Sequence, residues 1–347
     1  MSRQSRRALH RAALQSVTTA PVTIGIDVGG TKIAALSRCR GQTSRVVVEP
    51  TSRENADALV NQVARMVAAL AKPIGAIGAV GLSVAGEIAY EDGVVMTSNL
   101  PLSGLPLRAI LKNRLELPVF LDNDGNCAAI AEAHRLTSDM SRHLVVLTLG
   151  TGVGGGAIIN GQLLRGHSGL GAELGHLVVW ADGPDCFGVC PNRGCLEALC
   201  SGAALARDGR MSALRAPGSA LAEVLSRTGR VGAEDVVDIA RTGDLHAQAV
   251  MRDFGRWLGV GLSSLINIFE PVLIAIGGGL SQAGDLFLSV AVDELASRTA
   301  PARREQVKIQ LARSGPHASV VGASLLASRL LRSQSSAPLA AGADAMV

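Results

Sequence analysis

Two stretches, one in each half of the chain, share a construction that restricts the fold more than any other feature of the sequence. The first runs from an apolar strand at Val22 through Asp27 and the turn Gly29, Gly30, Thr31 and Lys32 into a second apolar segment at Ile33–Leu36. The second runs from His143–Leu149 through Gly150, Thr151 and Gly152, past Gly154–Gly156, into a strand at Ala157–Ile159 and the turn Asn160–Gly161. Each reads as strand, glycine and threonine turn, strand. Such turns offer backbone N–H groups to phosphate, and Asp27 stands at the mouth of the first, where a carboxylate meets a metal ion. No helix follows the first turn, which excludes a Walker-type loop. Two such turns in two halves are what an internally duplicated nucleotide clamp shows.

The rest of the chain alternates strands and helices in keeping with that reading. Glu54–Leu70 carries helical periodicity, Ile77–Val84 is a strand leading to Ala85, Gly86 and Glu87, and Val94–Met96 precedes a polar corner at Thr97–Pro101. Leu105–Leu115 predicts a short helix and Pro118–Leu121 a buried strand that ends on Asp122, Asn123, Asp124, Gly125 and Asn126, with Cys127–His134 helical after it. Ligands of open α/β sheets bind at the carboxyl ends of strands, so this cluster sits where chemistry is expected. The plainer reading is a solvated turn with an aspartate helix cap. Ser201–Glu234 is helical, and His246–Phe269 is a long apolar helix suited to core or subunit contact. Val272–Ile276 is a buried strand opening on Gly277, Gly278 and Gly279, where backbone can approach a flat ligand. Asp285–Arg298 is a helix, Val307–Leu311 a strand and Ser319–Leu331 a last helix. At 347 residues the chain exceeds what one core usually supports, so two lobes are expected. We place the first at 22–121, completed by the helix 319–331, and the second at 122–318, with a leader at 1–21 and a tail at 332–347 that read as disordered.

Between Glu173 and Glu197 lies a different signal. His176, Cys186, Cys190 and Cys195 have the composition of a Cys₃His zinc knuckle, and closed four-ligand sites of this kind are structural. The metal would shape a pocket, and the two glutamates would be what it presents. The alternative is three buried cysteines beside an incidental histidine. Four of the six cysteines crowd into this part of the chain, poor geometry for a disulfide framework, which points to reduced thiols and a cytoplasmic protein. A net charge of +4, much of it from Arg3, Arg6, Arg7 and Arg11, gives no nucleic-acid footprint, and aromatic residues at 2% leave little for base stacking. No uninterrupted apolar run of ~18 residues is present, so membrane spanning and export are disfavoured.

In this order, over roughly residues 22–331, the motifs resemble the ROK family of sugar kinases within the actin-like ATPase superfamily. The resemblance implies an α/β, duplicated, ribonuclease H-like fold with two lobes around a central cleft, and an ATP-dependent kinase acting on the 6-hydroxyl of a hexose. It implies ATP and Mg²⁺ held by Asp27, Gly29, Gly30, Thr31 and Lys32, by Gly150, Thr151 and Gly152, and by Gly277, Gly278 and Gly279 on the adenosine side. Asp124 is then the catalytic base. Gly86, Asn99, Asn123, Asp124, Glu173, His176 and Glu197 line the sugar, and His176, Cys186, Cys190 and Cys195 hold a structural Zn²⁺.

The knuckle departs from the family pattern Cys-x-Cys-Gly-x2-Gly-Cys: Gly188 stands at the first thiol position and Pro191 replaces a glycine, so Cys186 must reach further. Many bacterial glucokinase-like members carry Pro where Ala85 stands and Ala where Gly125 stands. Asn99 is the glucokinase-like choice, whereas the runs Asp122–Cys127, Ala172–Val179 and Asp182–Cys186 resemble N-acetylmannosamine kinase. Glucose is the substrate expected first, with N-acetylmannosamine or N-acetylglucosamine as alternatives and a homodimer or homotetramer as the assembly. Three rival readings fit the sequence less well. A sugar-sensing ROK transcription regulator needs a DNA-binding domain that the residues before Val22 are too few to hold. A silent binding protein is at odds with intact Asp27, Asp124 and both turns. A polyphosphate donor is disfavoured by the glycines at Gly277–Gly279.

Overall fold

The computed structural model describes residues 21–71 and 76–336; the expectations for residues 1–20 and 337–347 lie outside them. The first half contains β1 (Val22–Val28), β2 (Lys32–Cys39), β3 (Gln42–Thr43), β4 (Val47–Pro50), α1 (Ala56–Ala71), β5 (Ile77–Val84), β6 (Glu87–Ala89), β7 (Val94–Met96), α2 (Leu107–Leu115) and β8 (Val119–Asn123). The second contains α3 (Asp124–Ala133), α4 (Ser138–Arg142), β9 (Leu144–Leu149), β10 (Val153–Ile159), β11 (Gln162–Leu163), α5 (Leu196–Cys200), α6 (Gly202–Arg215), α7 (Ala220–Thr228) and α8 (Ala233–Arg241). There follow α9 (Leu245–Phe269), β12 (Leu273–Gly277), α10 (Gly284–Arg298), α11 (Pro301–Arg304), β13 (Lys308–Leu311) and α12 (Ala318–Ser336).

The duplication is explicit in the sheets. One has the order β3-β2-β1-β5-β8, with β4 also on β2, and the other β11-β10-β9-β12-β13. In each, an antiparallel hairpin (β1 with β2, β9 with β10) is extended by two parallel strands (β5 and β8, β12 and β13). The hairpins are the two glycine and threonine segments, so both turns end up at the same edge of their sheets. The parallel strands are nearly continuous apolar runs because helices cover them. Leu59, Val60, Val63, Met66 and Val67 form the buried stripe of α1 over Ile24, Ile26 and Leu82. In the other half Leu258, Leu262 and Phe287 close over Val145 and Leu147, with Phe254 and Phe287 in a tilted ring contact at 5.1 Å. Each such side chain contributes about 1.5–3 kcal/mol relative to exposure.

Helix α12 joins the halves, packing on β1 and β5 and also on α3. It lies this close because Gly25 and Gly81 have no side chain: a Cβ at either would collide with the backbone carbonyl of Val320 or Ala323. Gly322 makes the same approach to Cys127 of α3.

Several boundaries differ from expectation. Strand β8 runs to Asn123, beyond the expected lobe limit, and α3 starts at Asp124 because Asn123 Oδ1 accepts from Asn126 N at 2.8 Å. Asparagine, not aspartate, is therefore the cap. Helix α12 runs to Ser336, so residues 332–336 of the expected tail are helical; Arg332 Nη1 donates to Ser328 Oγ at 2.7 Å one turn back. Pro106 delays α2 to Leu107. The stretch Ser201–Glu234 divides into α6, α7 and the start of α8, with Ser201 and Ser219 capping the first two and Gly229 ending α7 in the left-handed region. Among the described residues no helix is long and apolar enough to cross a membrane.

Candidate active site

The first turn closes through Gly29 N donating to Lys32 O at 3.1 Å and is braced by Thr51, the residue after β4, whose hydroxyl donates to Gly29 O at 2.7 Å and whose N–H reaches Thr31 O at 3.0 Å. Thr31 and Lys32 are exposed at its tip, and Asn99 stands beside Gly30. Gly86 enters the β6–β7 ribbon at φ 145°, a conformation closed to other residues, with Met96 O where a Cβ would be. Asp27 sits on β1 directly opposite Ser83 of β5, and Ser83 Oγ donates to Asp27 Oδ1 at 2.6 Å. Burial pushes the Asp27 carboxyl up, while the Ser83 hydroxyl and the charges of Lys32 and His317 pull it down.

Asp124 lies in the first turn of α3, where the helix dipole favours a negative charge. Its Oδ1 accepts from Gly125 N at 2.9 Å. Burial raises its pKa to about 6, with Asp27 and Glu173 adding to the shift and the Gly125 N–H opposing it. Asp124 thus lies within electrostatic reach of Asp27 on β1 and of Glu173 in the loop after β11. Glu173 is itself raised, by desolvation first, then by Glu87 and Glu197, with His176 acting against them.

On the opposite wall the second turn closes through Gly150 N donating to Gly152 O at 2.9 Å, and the start of α6 donates from Gly202 N and Ala203 N to the carbonyls of Gly150 and Thr151. Glu197 Oε2 accepts from Val153 N at 2.8 Å, so this predicted sugar ligand also supports the end of the second turn. Gly277 pairs with Thr148 at the end of β9, and Gly278, at φ 83°, presses on the backbone of Leu149. Gly279 opens a 3₁₀ turn with free space around it. The glycines expected on the adenosine side thus lie directly behind the second turn.

The knuckle gathers all four predicted ligands. One donor atom from each of His176, Cys186, Cys190 and Cys195 lies within 4.8 Å of the others, with Cys186 Sγ 3.5 Å from His176 Nδ1 and Cys190 Sγ 3.9 Å from Cys195 Sγ. Tetrahedral zinc with bonds of about 2.3 Å requires ligand atoms ~3.7 Å apart, so the donor set fits the ion. Cys186 reaches the site because its N–H bonds Asn192 O at 2.9 Å and Asp185 bridges to Arg193, folding the longer loop back. Burial, then the neighbouring Cys195 and Cys190 thiols, push Cys186 up, a crowding that a bound cation reverses. Trp180 stacks on Trp257 of α9 at 5.1 Å and fastens the knuckle to the body.

Three supports escaped the sequence reading. Ser83 holds Asp27. Asp122, buried at 2% exposure, is paired with Arg165 at 2.6 Å. Glu132, at the far end of α3, accepts the N–H groups of Arg313 and Ser314 and the Ser314 hydroxyl, tying that helix to the loop that leads to His317. None of the three has a local motif; each joins segments distant in sequence.

The ROK family profile matches residues 23–330. The chain is 38% identical to a glucokinase of Streptomyces coelicolor over 77% of its length and 84% of that protein. It is 33% identical to an N-acetyl-D-glucosamine kinase of Escherichia coli over 87% of its length and 98% of that protein. Among solved structures, a ROK family glucokinase from Streptomyces griseus in complex with glucose and AMPPNP superposes with a TM-score of 0.76 at 32% identity, covering 89% of this chain and 99% of that one. A match that spans both sheets and the helix joining them makes this chain a member of the ROK family, with its two-lobed, actin-like ATPase fold.

Proposed function

We propose that the protein is an ATP-dependent hexose kinase that phosphorylates the 6-hydroxyl of glucose. The observation that carries this reading is Asp124: a buried carboxyl at a helix N-terminus, within electrostatic reach of Asp27 and Glu173, with a pKa of about 6. A base poised there is ionised at neutral pH yet basic enough to accept a hydroxyl proton as the bond to phosphorus forms. Phosphoryl transfer asks little covalent chemistry of a protein beyond positioning and charge stabilisation. The two turns supply N–H groups for the phosphates, Asp27 is the carboxylate on the Mg²⁺ side, and Gly277, Gly278 and Gly279 leave room for adenosine. Asn123, Asn99, Gly86, Glu173, His176 and Glu197 hold the remaining sugar hydroxyls, and the lobes divide where β8 passes into α3.

His176, Cys186, Cys190 and Cys195 would hold Zn²⁺, which supplies rigidity to the wall carrying Glu173 and Glu197. All six cysteines are free thiols, in keeping with a cytoplasmic protein. A homodimer or homotetramer is the assembly we expect, read by sedimentation.

A second reading, an N-acetylhexosamine kinase, is favoured by the similarity to the E. coli enzyme. A coupled ATP assay across glucose, mannose, fructose, N-acetylglucosamine and N-acetylmannosamine decides between them. Glucose is expected to lead in kcat/KM. A higher value for an N-acetylhexosamine replaces the substrate, and no ATP consumption with any sugar overturns the kinase.

A further inference from the structure

The corner that carries Asp124 is tied to the other half of the molecule by a side chain that phosphoryl transfer itself does not use. Arg165, in the loop after β11, donates from Nε and Nη2 to Asp122 Oδ2 at 2.8 and 2.6 Å. Both donors converge on one oxygen, which leaves Asp122 Oδ1 to accept from Asn123 N at 3.0 Å and Asn126 Nδ2 at 2.8 Å. Asp122 thereby organises the first turn of α3, the turn on which Asp124 sits. The guanidinium also lies 4.2 Å over the ring of Tyr90 in the β6–β7 ribbon segment. Its own loop is fastened to that segment again, because Tyr90 N donates to Ser168 O at 3.0 Å and a Cβ on Gly169 would collide with Ile88 O and Tyr90 N. Gly171 N donates to Arg165 O at 2.8 Å and turns the loop toward Glu173.

We propose that Arg165 is a positioning residue for the transfer: it locks the loop bearing Glu173 against Asp122 and Tyr90, and so sets the base relative to the carboxylate that holds the sugar. This rests on Asp124 being the base. A charge alone does not meet the requirement. The planar group offers two donors to one oxygen while stacking on an aromatic face, and lysine, a compact point charge, cannot do both. Misplacing reacting groups by about 1 Å costs on the order of a hundredfold in rate, so a loosened lock is read in kcat.

The test compares Arg165→Lys, Arg165→Met and the double variant Asp122→Asn/Arg165→Met for Tm, kcat and the KM of ATP, using the best sugar of the panel. Arg165→Lys keeps the charge beside Asp122 and is expected to keep Tm, yet to lose about tenfold or more in kcat, with the KM of ATP unchanged because neither phosphate turn is touched. If Arg165→Met does not fold, the double variant, which removes the buried charge together with its partner, still reports: a wild-type Tm with lowered kcat is expected. Wild-type kcat in Arg165→Lys or in the double variant overturns the positioning role. Asp124→Asn, assayed alongside, separates the two ideas. Full turnover there removes the base itself, whereas loss there with unchanged Arg165→Lys removes only the lock.

Discussion

Asp124, the proposed base, is buried where its ionised form costs the fold stability. Its folded pKa of about 6 lies above the ordinary carboxyl value of 3.8, so the folded chain binds more protons than the unfolded chain between those values. Stability is therefore lost as pH rises through this window, by about 3 kcal/mol once the group is fully ionised above it. Asp124→Asn removes that penalty together with the proton acceptor. It is expected to raise Tm at pH 8, to leave it unchanged near pH 3.5, and to lower kcat by ~10²- to 10⁴-fold. Thermal melts at both pH values with a steady-state assay check this; a destabilised variant at pH 8 would contradict the buried charge. Ser83→Ala probes the neighbouring carboxylate. Loss of the 2.6 Å bond lets the Asp27 pKa climb further, so the acid limb of kcat/KM for Mg-ATP should move to higher pH, and an unmoved limb would show that Asp27 does not titrate in that step.

In the proposed reading, the knuckle would serve both the sugar and the nucleotide. His176 lies three residues from Glu173, Cys195 two from Glu197, and Glu197 in turn supports Val153, where the second glycine turn enters β10. Loss of the ion should therefore disturb both sugar and nucleotide binding. Freshly purified protein is expected to carry about one zinc per chain by elemental analysis. Cys195→Ser should lose the metal and raise the KM of the sugar and of ATP together. Active protein without zinc would remove the ion from this account. The Trp180 and Trp257 stack offers an independent readout, since emission from the two tryptophans should change as the loop loosens.

Across the molecule, the two sheets carry one plan twice and α12 closes them into a unit. The closeness of that helix to β1 and β5 depends on the bare backbone of Gly25 and Gly81. Gly81→Ala would place a methyl group against Ala323 O, and the resulting strain is expected to cost about 1–3 kcal/mol and lower Tm by several degrees. An unchanged Tm would mean that α12 shifts without loss. Because α12 also rests on α3, the same change should reduce kcat more than solvent-facing substitutions on α1 do. The halves are thus joined by a packed helix as well as by the chain passing from β8 into α3.

What could be read from the residues in order was whatever a short segment specifies locally. The glycine and threonine turns are legible because strand, turn and strand are contiguous, and the clustered cysteines because metal ligands recur at short spacing. Asp124 is legible because it follows a recognisable strand, although the helix starts at Asp124 itself and not at Cys127 as the sequence suggests. The supports of these groups were not legible. Ser83 meets Asp27 through the parallel register of β1 and β5, Arg165 reaches Asp122 from the loop after β11, and Glu132 captures the backbone of Arg313 and Ser314. Periodicity and local spacing report which face a residue takes and what its neighbours in the chain are. Strand register and helix docking decide which distant groups then stand within hydrogen-bond reach, and with them the burial that brings Asp124 to about 6.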